Sequence, residues 1–308
     1  MKIIGIGNAI VDVICKVNED FLSNNKLTKS TMKLVNESDF RRLLSNLKIE
    51  DTISGGSVAN SIVGLSQLGN KVGFIGKISD DKLGAKYEEG LKKENVKYFY
   101  SKKKETIPTG TCLILITPDS ERTMVTFLGT AGKINENDLN IDAIKESEVL
   151  FLEGYLWDEG DPKKAFEKAI QNSNKVAMSL SDLFCVERHK SFFLDLVKNK
   201  IDIIFANEQE IMSLINAKKF NEVIYFAKDL NKDIIITRGV KGSMIVHKKS
   251  VYEYPAKSNL KILDLTGAGD LFAAGFLNGY INEFPITKCL EQGTEMSSKV
   301  IQILGARI

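Results

Sequence analysis

Six short runs rich in Ile and Val punctuate this chain: KIIGIG, KVGFIGKI, VLFLEGYL, KVAMSLS, IDIIFAN and DIIITRG. Each has the apolar character of a strand buried on both faces. Between them lie segments such as DPKKAFEKAIQNSN, VERHKSFFLDLVKNK and EQEIMSLINA, whose apolar residues recur at three- and four-residue spacing, as on one face of a helix. Strand and helix alternate, and this pattern predicts an α/β fold: a mainly parallel central sheet with helices on both faces and a ligand site at the carboxyl ends of the strands. The chain has 308 residues, which suits one large domain spanning 1–308.

Two stretches break the alternation. From Val11 to about Val35, and again from Tyr98 to Leu128, the sequence reads as strands without intervening helices. TGTCLILITPDSERTMVTFLG is the clearest case, two β-rich runs joined by the turn-forming TPDSER. With no helices to cover them inside the main sheet, these strands are expected to form a small second sheet, a lid inserted in the domain over the strand ends.

Charge and cysteine usage exclude several function classes. Lys+Arg of 42 against Asp+Glu of 40 leaves a net charge of +2, so a nucleic-acid partner is not indicated. The locally basic LKKENVKYFYSKKKE reads as a solvated face rather than a strand-binding surface. Cys15, Cys112, Cys185 and Cys289 are far apart and form no CxxC pair, which supports neither a disulfide framework nor a zinc site and fits a reducing, cytoplasmic setting. The N-terminal MKIIGIGNAIVD is too interrupted for a signal-peptide core, and no window approaches the roughly 18 apolar residues of a membrane helix. Two histidines occur, His189 in VERHK and His247 beside two lysines, and both read as exposed. A general base is then expected to be a carboxylate or a lysine.

The chemistry gathers at two glycine clusters. In DLTGAGDLFAAGF, from Asp264 to Phe276, a glycine turn opens an apolar helix, so that unpaired N–H groups and the positive end of the helix dipole converge on one point. Such a point binds anions. Asp270 sits in it, and a carboxylate beside a phosphate makes sense where the phosphoryl group is in transit. On its own, Asp270 would also read as a helix-start aspartate stabilised by the dipole. In SGGSVANSIVGLSQLG, from Ser54 to Gly69, Val58, Ile62 and Leu65 share a helical stripe, Gly69 suits a C-terminal cap, and Asn60 offers a donor and an acceptor one turn in.

Together these segments resemble the two signature regions of the ribokinase-like (PfkB) carbohydrate kinases. GIGNAIVD, NEQE at 207–210, TRGVKG at 237–242 and GAR near the C-terminus fall in that family's order and spacing, so the resemblance covers essentially the whole chain. It implies a kinase that uses ATP with Mg²⁺. Gly267, Ala268 and Gly269, with Thr266, match the anion hole, and Asp270 matches the catalytic base. Asp12 matches the carboxylate that takes two sugar hydroxyls, aided by Asn60 and the Gly55-Gly56 backbone. Asn207 and Glu210 resemble the NxxE motif that orders Mg²⁺ through water, although an N-cap Asn with first-turn glutamates has the same pattern. Thr237, Gly239 and Gly242 resemble the ATP-side loop. Asp264, the Thr266 backbone and Gly305 fall where some members coordinate a monovalent cation such as K⁺. Leu265 departs from the family's usual Thr.

GNAIVD, the following VNEDFLSNNKL and the lid-like hairpin look most like the adenosine kinase branch. There Asn8 and Ile10 would help enclose a nucleoside, and Tyr155 or Phe184 would stack on its base or serve as core. The expected partner is thus a small-molecule nucleoside or sugar, taken by a monomer or homodimer. The alternatives are a sugar kinase of the same family acting on ribose, fructose or 2-keto-3-deoxygluconate, and a non-catalytic ligand-binding protein on the same fold. A dinucleotide-binding oxidoreductase is disfavoured because GIGNAI lacks the third glycine, and no GxxxxGK[ST] exists for a Walker A kinase.

Overall fold

The structure is a computed structural model that describes residues 1–29, 31–119, 121–157 and 161–308. Ser30, in the first strand-rich stretch, and Ser120, in the TPDSER turn, lie outside the described residues. In chain order the first strands are β1 (Ile3–Ile6), β2 (Ile10–Lys16), β3 (Met32–Leu34), β4 (Ile49–Ser54), β5 (Val72–Ile75), β6 (Lys97–Tyr98) and β7 (Gly110–Ile116). The others are β8 (Arg122–Phe127), β9 (Val149–Glu153), β10 (Val176–Ser179), β11 (Ile203–Asn207), β12 (Asp233–Thr237), β13 (Ser243–His247) and β14 (Ser250–Tyr254).

Nine of them form one sheet in the order β14-β13-β12-β11-β10-β9-β1-β5-β6, parallel from β12 through to β6 and closed at the other edge by an antiparallel pair. The six apolar runs are β1, β5, β9, β10, β11 and β12, side by side, and their residues point alternately into two cores, as the period of two requires. Ile3, Phe74, Phe151, Phe205 and Ile235 face one side, packed under the helices Ser57–Gln67 and Ala268–Ile281. Ile4, Leu152, Ile204, Ile234 and Ile236 face the other, under the helices Asp161–Gln171, Leu183–Asn199 and Phe220–Leu230. Burial on both faces explains why these runs lack polar alternation.

The remaining strands form a five-stranded mixed sheet, β3-β8-β7-β2-β4, which lies over the strand ends as a lid. It draws on more of the chain than the two stretches singled out above. β4 is an added edge strand whose IEDTIS is largely exposed and carries no apolar run. Lys97–Tyr98 belongs to the main sheet, beside β5. A short helix, Glu19–Asn24, interrupts the first stretch because Asn18 caps it, its Oδ1 accepting from the Phe21 N–H at 2.9 Å.

Two surface expectations change as well. His189 is buried, 8 % exposed, at a kink within Leu183–Asn199 where its own backbone leaves helical geometry, at φ −118° and ψ 21°. Its ring lies 5.7 Å from that of Phe193. His247 is half-buried and pairs with Asp233 through Nδ1 at 2.5 Å. In LKKENVKYFYSKKKE the aromatics turn inward, Tyr98 joining Phe74, Tyr87 and Tyr100 in a ring cluster, while Lys102 pairs with Glu88 and Asp80 and Lys103 with Asp138. Among the described residues, no helix is long and apolar enough to cross a membrane.

Candidate active site

A cavity of about 620 Å³ separates the lid from the carboxyl ends of the parallel strands. Its floor is made by Glu153, Ser179, Asn207 and Thr237, each the last residue of its strand, and by the start of the helix Ala268–Ile281. Its roof is the lid face carrying Asp12, Met32, Cys112, Ile114, Met124 and Thr126. Its size suits a drug-sized ligand or a nucleotide.

Most of the predicted site residues converge here. Asn8, Asp12, Gly56, Asn60, Asn207, Glu210, Thr237, Thr266, Gly267, Ala268, Gly269 and Asp270 all line the cavity, as do Ile10, Tyr155 and Phe184. Gly55, Gly239, Gly242 and Asp264 do not. Gly55 stands behind Asp12, where a Cβ would come within 2.4 Å of the carboxylate. Gly239 and Gly242 shape the turn between β12 and β13. Neither histidine lines the cavity.

Gly267 is the N-cap of the helix Ala268–Ile281, at φ 78° in the left-handed region, and an added Cβ there would meet Ala306 at 2.7 Å. Only glycine fits that turn while the C-terminal segment packs against it. Above Gly269 a Cβ would meet nothing within 4 Å, so the backbone there opens onto the cavity, while the Ala268 N–H donates to the Leu265 carbonyl at 3.2 Å.

Asp270, three residues into this helix, accepts from Ser57 Oγ at 2.6 Å and from Asn60 Nδ2 at 3.0 Å. Burial pushes its pKa up to about 6, against the lowering effect of those two hydrogen bonds and of the Arg307 charge. Asn60 is oriented in turn by Arg307, whose Nε donates to its Oδ1 at 3.0 Å. Burial likewise raises Asp12 to about 7, opposed by Arg307 and Arg122 and assisted by Asp270. Two carboxylates and two guanidiniums therefore share one low-dielectric region.

Glu153 ties the two glycine clusters together. It ends β9 almost fully buried and accepts from the Asn8 N–H and the Val58 N–H, both at 2.8 Å. Burial raises it to about 7 against those bonds. Asn207 and Glu210 form a capping box: the Glu210 N–H donates to Asn207 Oδ1 at 2.8 Å, and the Glu210 carboxylate accepts from the Asn207 N–H at 2.9 Å and from its Nδ2 at 2.5 Å. Burial raises Glu210 to about 7, and Asp182, also on the cavity wall, adds to the rise. Asn8 Oδ1, Arg122 Nε and Arg307 Nη2 are buried without a hydrogen-bond partner among the described residues. The first of these belongs to a cavity-lining residue, as expected of an acceptor that meets a ligand.

Ser57, Glu153, Arg122 and Arg307 are participants that the sequence alone did not single out. Ser57 directly follows the glycine pair, and Glu153 is the one charge ending an otherwise apolar strand; both are visible signals. The arginines lie in segments the sequence analysis quoted, Arg122 at the end of TPDSER and Arg307 in GAR, but nothing local assigned either side chain a role.

A carboxylate beside a helix-start glycine turn, set in a cavity between strand ends and a lid, suits phosphoryl transfer, and with its match to a kinase family the chain is an ATP-dependent phosphotransferase acting on a small hydroxylated substrate. Residues 43–308 match the family model described as pfkB family carbohydrate kinase, and the chain belongs to that family. A structure of adenosine kinase from Sinorhizobium meliloti is 33% identical, with a TM-score of 0.92, and the match covers 100% of this chain and 95% of that one. A probable sugar kinase from Rhizobium etli CFN 42 is 34% identical, with a TM-score of 0.91, covering 99% and 94%. Adenosine kinase 2 of Arabidopsis thaliana is 25% identical over 98% of this chain and 94% of its own length.

Proposed function

We propose that this kinase transfers the γ-phosphoryl group of ATP to the primary hydroxyl of a ribonucleoside, with adenosine as the model acceptor. The observation that carries this reading is the apolar roof. Met32, Leu34, Cys112, Ile114 and Met124 line the cavity from the lid, and the rings of Tyr155 and Phe184 line it as well. A purine base buries apolar surface against such a wall and gains from aromatic contact. A free sugar has nothing to place there. The adenosine kinase from S. meliloti, matched over the full chain, supports the same reading.

In this reading Asp12 and the Asn8 side chain take ribose hydroxyls, which sets the primary hydroxyl toward Asp270. Asp270, with a pKa near 6, is largely ionised at neutral pH. It accepts the hydroxyl proton late, as the bond to phosphorus forms. Ser57 and Asn60 keep its two oxygens fixed, so little reorganisation is needed at the moment of transfer. The amides at Gly267 and Gly269 meet the charge on the transferring phosphoryl, Ala268 joins them once its N–H leaves the Leu265 carbonyl, and Thr237 borders the ATP side.

Mg²⁺, which the family implies, would be held through water by Asn207 and Glu210, with Asp182 on the same cavity wall. Among the described residues no group of three or more His, Cys, Asp or Glu side chains could cage a metal. When bound, Mg²⁺ supplies charge neutralisation on the ATP phosphates. A cytoplasmic location is part of the proposal, and four buried, unpaired cysteines support it.

The test is ADP release from MgATP with adenosine, other purine nucleosides, ribose, fructose and 2-keto-3-deoxygluconate. Turnover confined to sugars overturns the nucleoside assignment and favours the sugar-kinase alternative, in line with the similarity to the probable sugar kinase from R. etli.

A further inference from the structure

The family resemblance places a monovalent cation beside the anion hole, at Asp264, the Thr266 backbone and Gly305. The groups present do not suit one. Asp264 Oδ1 accepts from the Thr266 N–H at 3.0 Å and from the Thr266 hydroxyl at 2.7 Å. Its Oδ2 accepts from the Gly305 N–H at 2.9 Å and from Arg122 Nη1 at 2.8 Å. An ionised carboxylate offers about four lone-pair directions, and here four donors take them. A potassium ion needs oxygen acceptors, whereas every group brought to this carboxylate donates.

The pair is also shielded. The Asp264 and Arg122 side chains are 6% and 11% exposed, so this ion pair sits away from bulk water. Removing one partner of such a pair leaves the other charge uncompensated. The two residues come from different layers: Arg122 opens β8 in the lid, while Asp264 precedes the glycine turn and holds Thr266, the first residue of the anion hole.

We propose that Arg122 is a positioning residue that does the work of the monovalent cation: its guanidinium supplies the single positive charge that fixes Asp264, and through Asp264 the start of the Thr266–Gly269 turn. The charge is carried by the chain and does not exchange with solvent ions. It arrives and leaves with the lid, so the anion hole is complete only when β8 lies in the position seen here. The enzyme therefore works without potassium, and because the Thr266 and Gly305 groups on Asp264 are donors, an alkali ion cannot take the place of Arg122.

The experiment compares wild type, Arg122→Ala and Arg122→Lys in potassium chloride and in choline chloride of equal ionic strength. The readouts are melting temperature, thallium(I) NMR as a direct probe of an alkali-type site, and turnover of adenosine with MgATP. For wild type, the two salts give the same melting curve and no bound thallium signal. For Arg122→Ala, kcat in choline falls by roughly tenfold or more, short of the 10²- to 10³-fold typical of deleting an anion-hole donor outright. Potassium restores neither rate nor melting temperature, because the partners left on Asp264 are donors, and no bound thallium appears. Arg122→Lys keeps the charge and stays insensitive to potassium.

A saturable potassium response or bound thallium in wild type overturns the proposal, since a cation site would then coexist with Arg122. A folded Arg122→Ala that keeps wild-type kcat and melting temperature in choline overturns it too. Should Arg122→Ala fail to fold, Arg122→Gln replaces it, and the wild-type titration stands without any variant. Melting and thallium binding do not depend on the acceptor, so failure of the nucleoside reading is distinguishable from failure of this one.

Discussion

Asp270 is held from two sides, by Ser57 and by Asn60, and Asn60 is itself held by Arg307. Asp270→Asn keeps the shape and removes the base. It is expected to lower kcat by roughly 10²- to 10⁴-fold while ATP binding, followed by calorimetry, survives. Full activity in the pure variant would sink the assignment. Asp12→Ala should instead weaken the acceptor far more than ATP, since it deletes charged hydrogen bonds worth about 1.5 to 3 kcal/mol each. Parallel titrations of the two ligands check this, and equal weakening of both would place Asp12 outside the acceptor site. Asp12, Asn60 and Asp270 stood out in the sequence because each lies in or beside a glycine-marked segment. Arg307 and Glu153 act across sequence separations of 247 and 145 residues, to Asn60 and Asn8, and no local pattern encodes such a meeting.

The elements were legible in proportion to how completely they are buried. The six central parallel strands announce themselves because both faces need apolar side chains. β3, β4 and β6 are short or largely exposed, so solvent permits polar residues and the strand signal fades. The same logic misplaced His189, where the charged neighbours in the sequence hid a kink at which the ring packs against Phe193. The lid carries a prediction of its own. If its apolar face covers the acceptor's base, adenosine should slow hydrogen exchange in β7 and β8 well beyond the effect of ribose or fructose, because closing over a bound base excludes water. Equal exchange with and without adenosine would remove the lid from acceptor recognition.

At the scale of the whole molecule, burial of the site has a thermodynamic signature. Asp12, Glu153 and Glu210 are raised to about 7 and Asp270 to about 6, all above the values of the unfolded chain. Between the unfolded and folded pKa values the native state binds more protons than the unfolded state. Stability contributed by these groups is therefore complete below about pH 4 and lost as pH rises through about 6 to 7. Melting temperature is expected to fall across that window as the site ionises for catalysis. Asp270→Asn should melt above wild type at neutral pH and show a shallower decline. A wild-type melting temperature that rises steadily from pH 5 to about 7 would contradict this electrostatic picture.

The central claim is that the cavity phosphorylates a nucleoside, and identification of the phosphorylated product tests it most directly. Purified protein incubated with MgATP and a mixture of adenosine, ribose and fructose, followed by phosphorus NMR and mass spectrometry, should yield ADP together with the nucleoside 5′-monophosphate. Phosphorylated ribose or fructose with no nucleoside monophosphate, including when adenosine is replaced by other purine nucleosides, would contradict it.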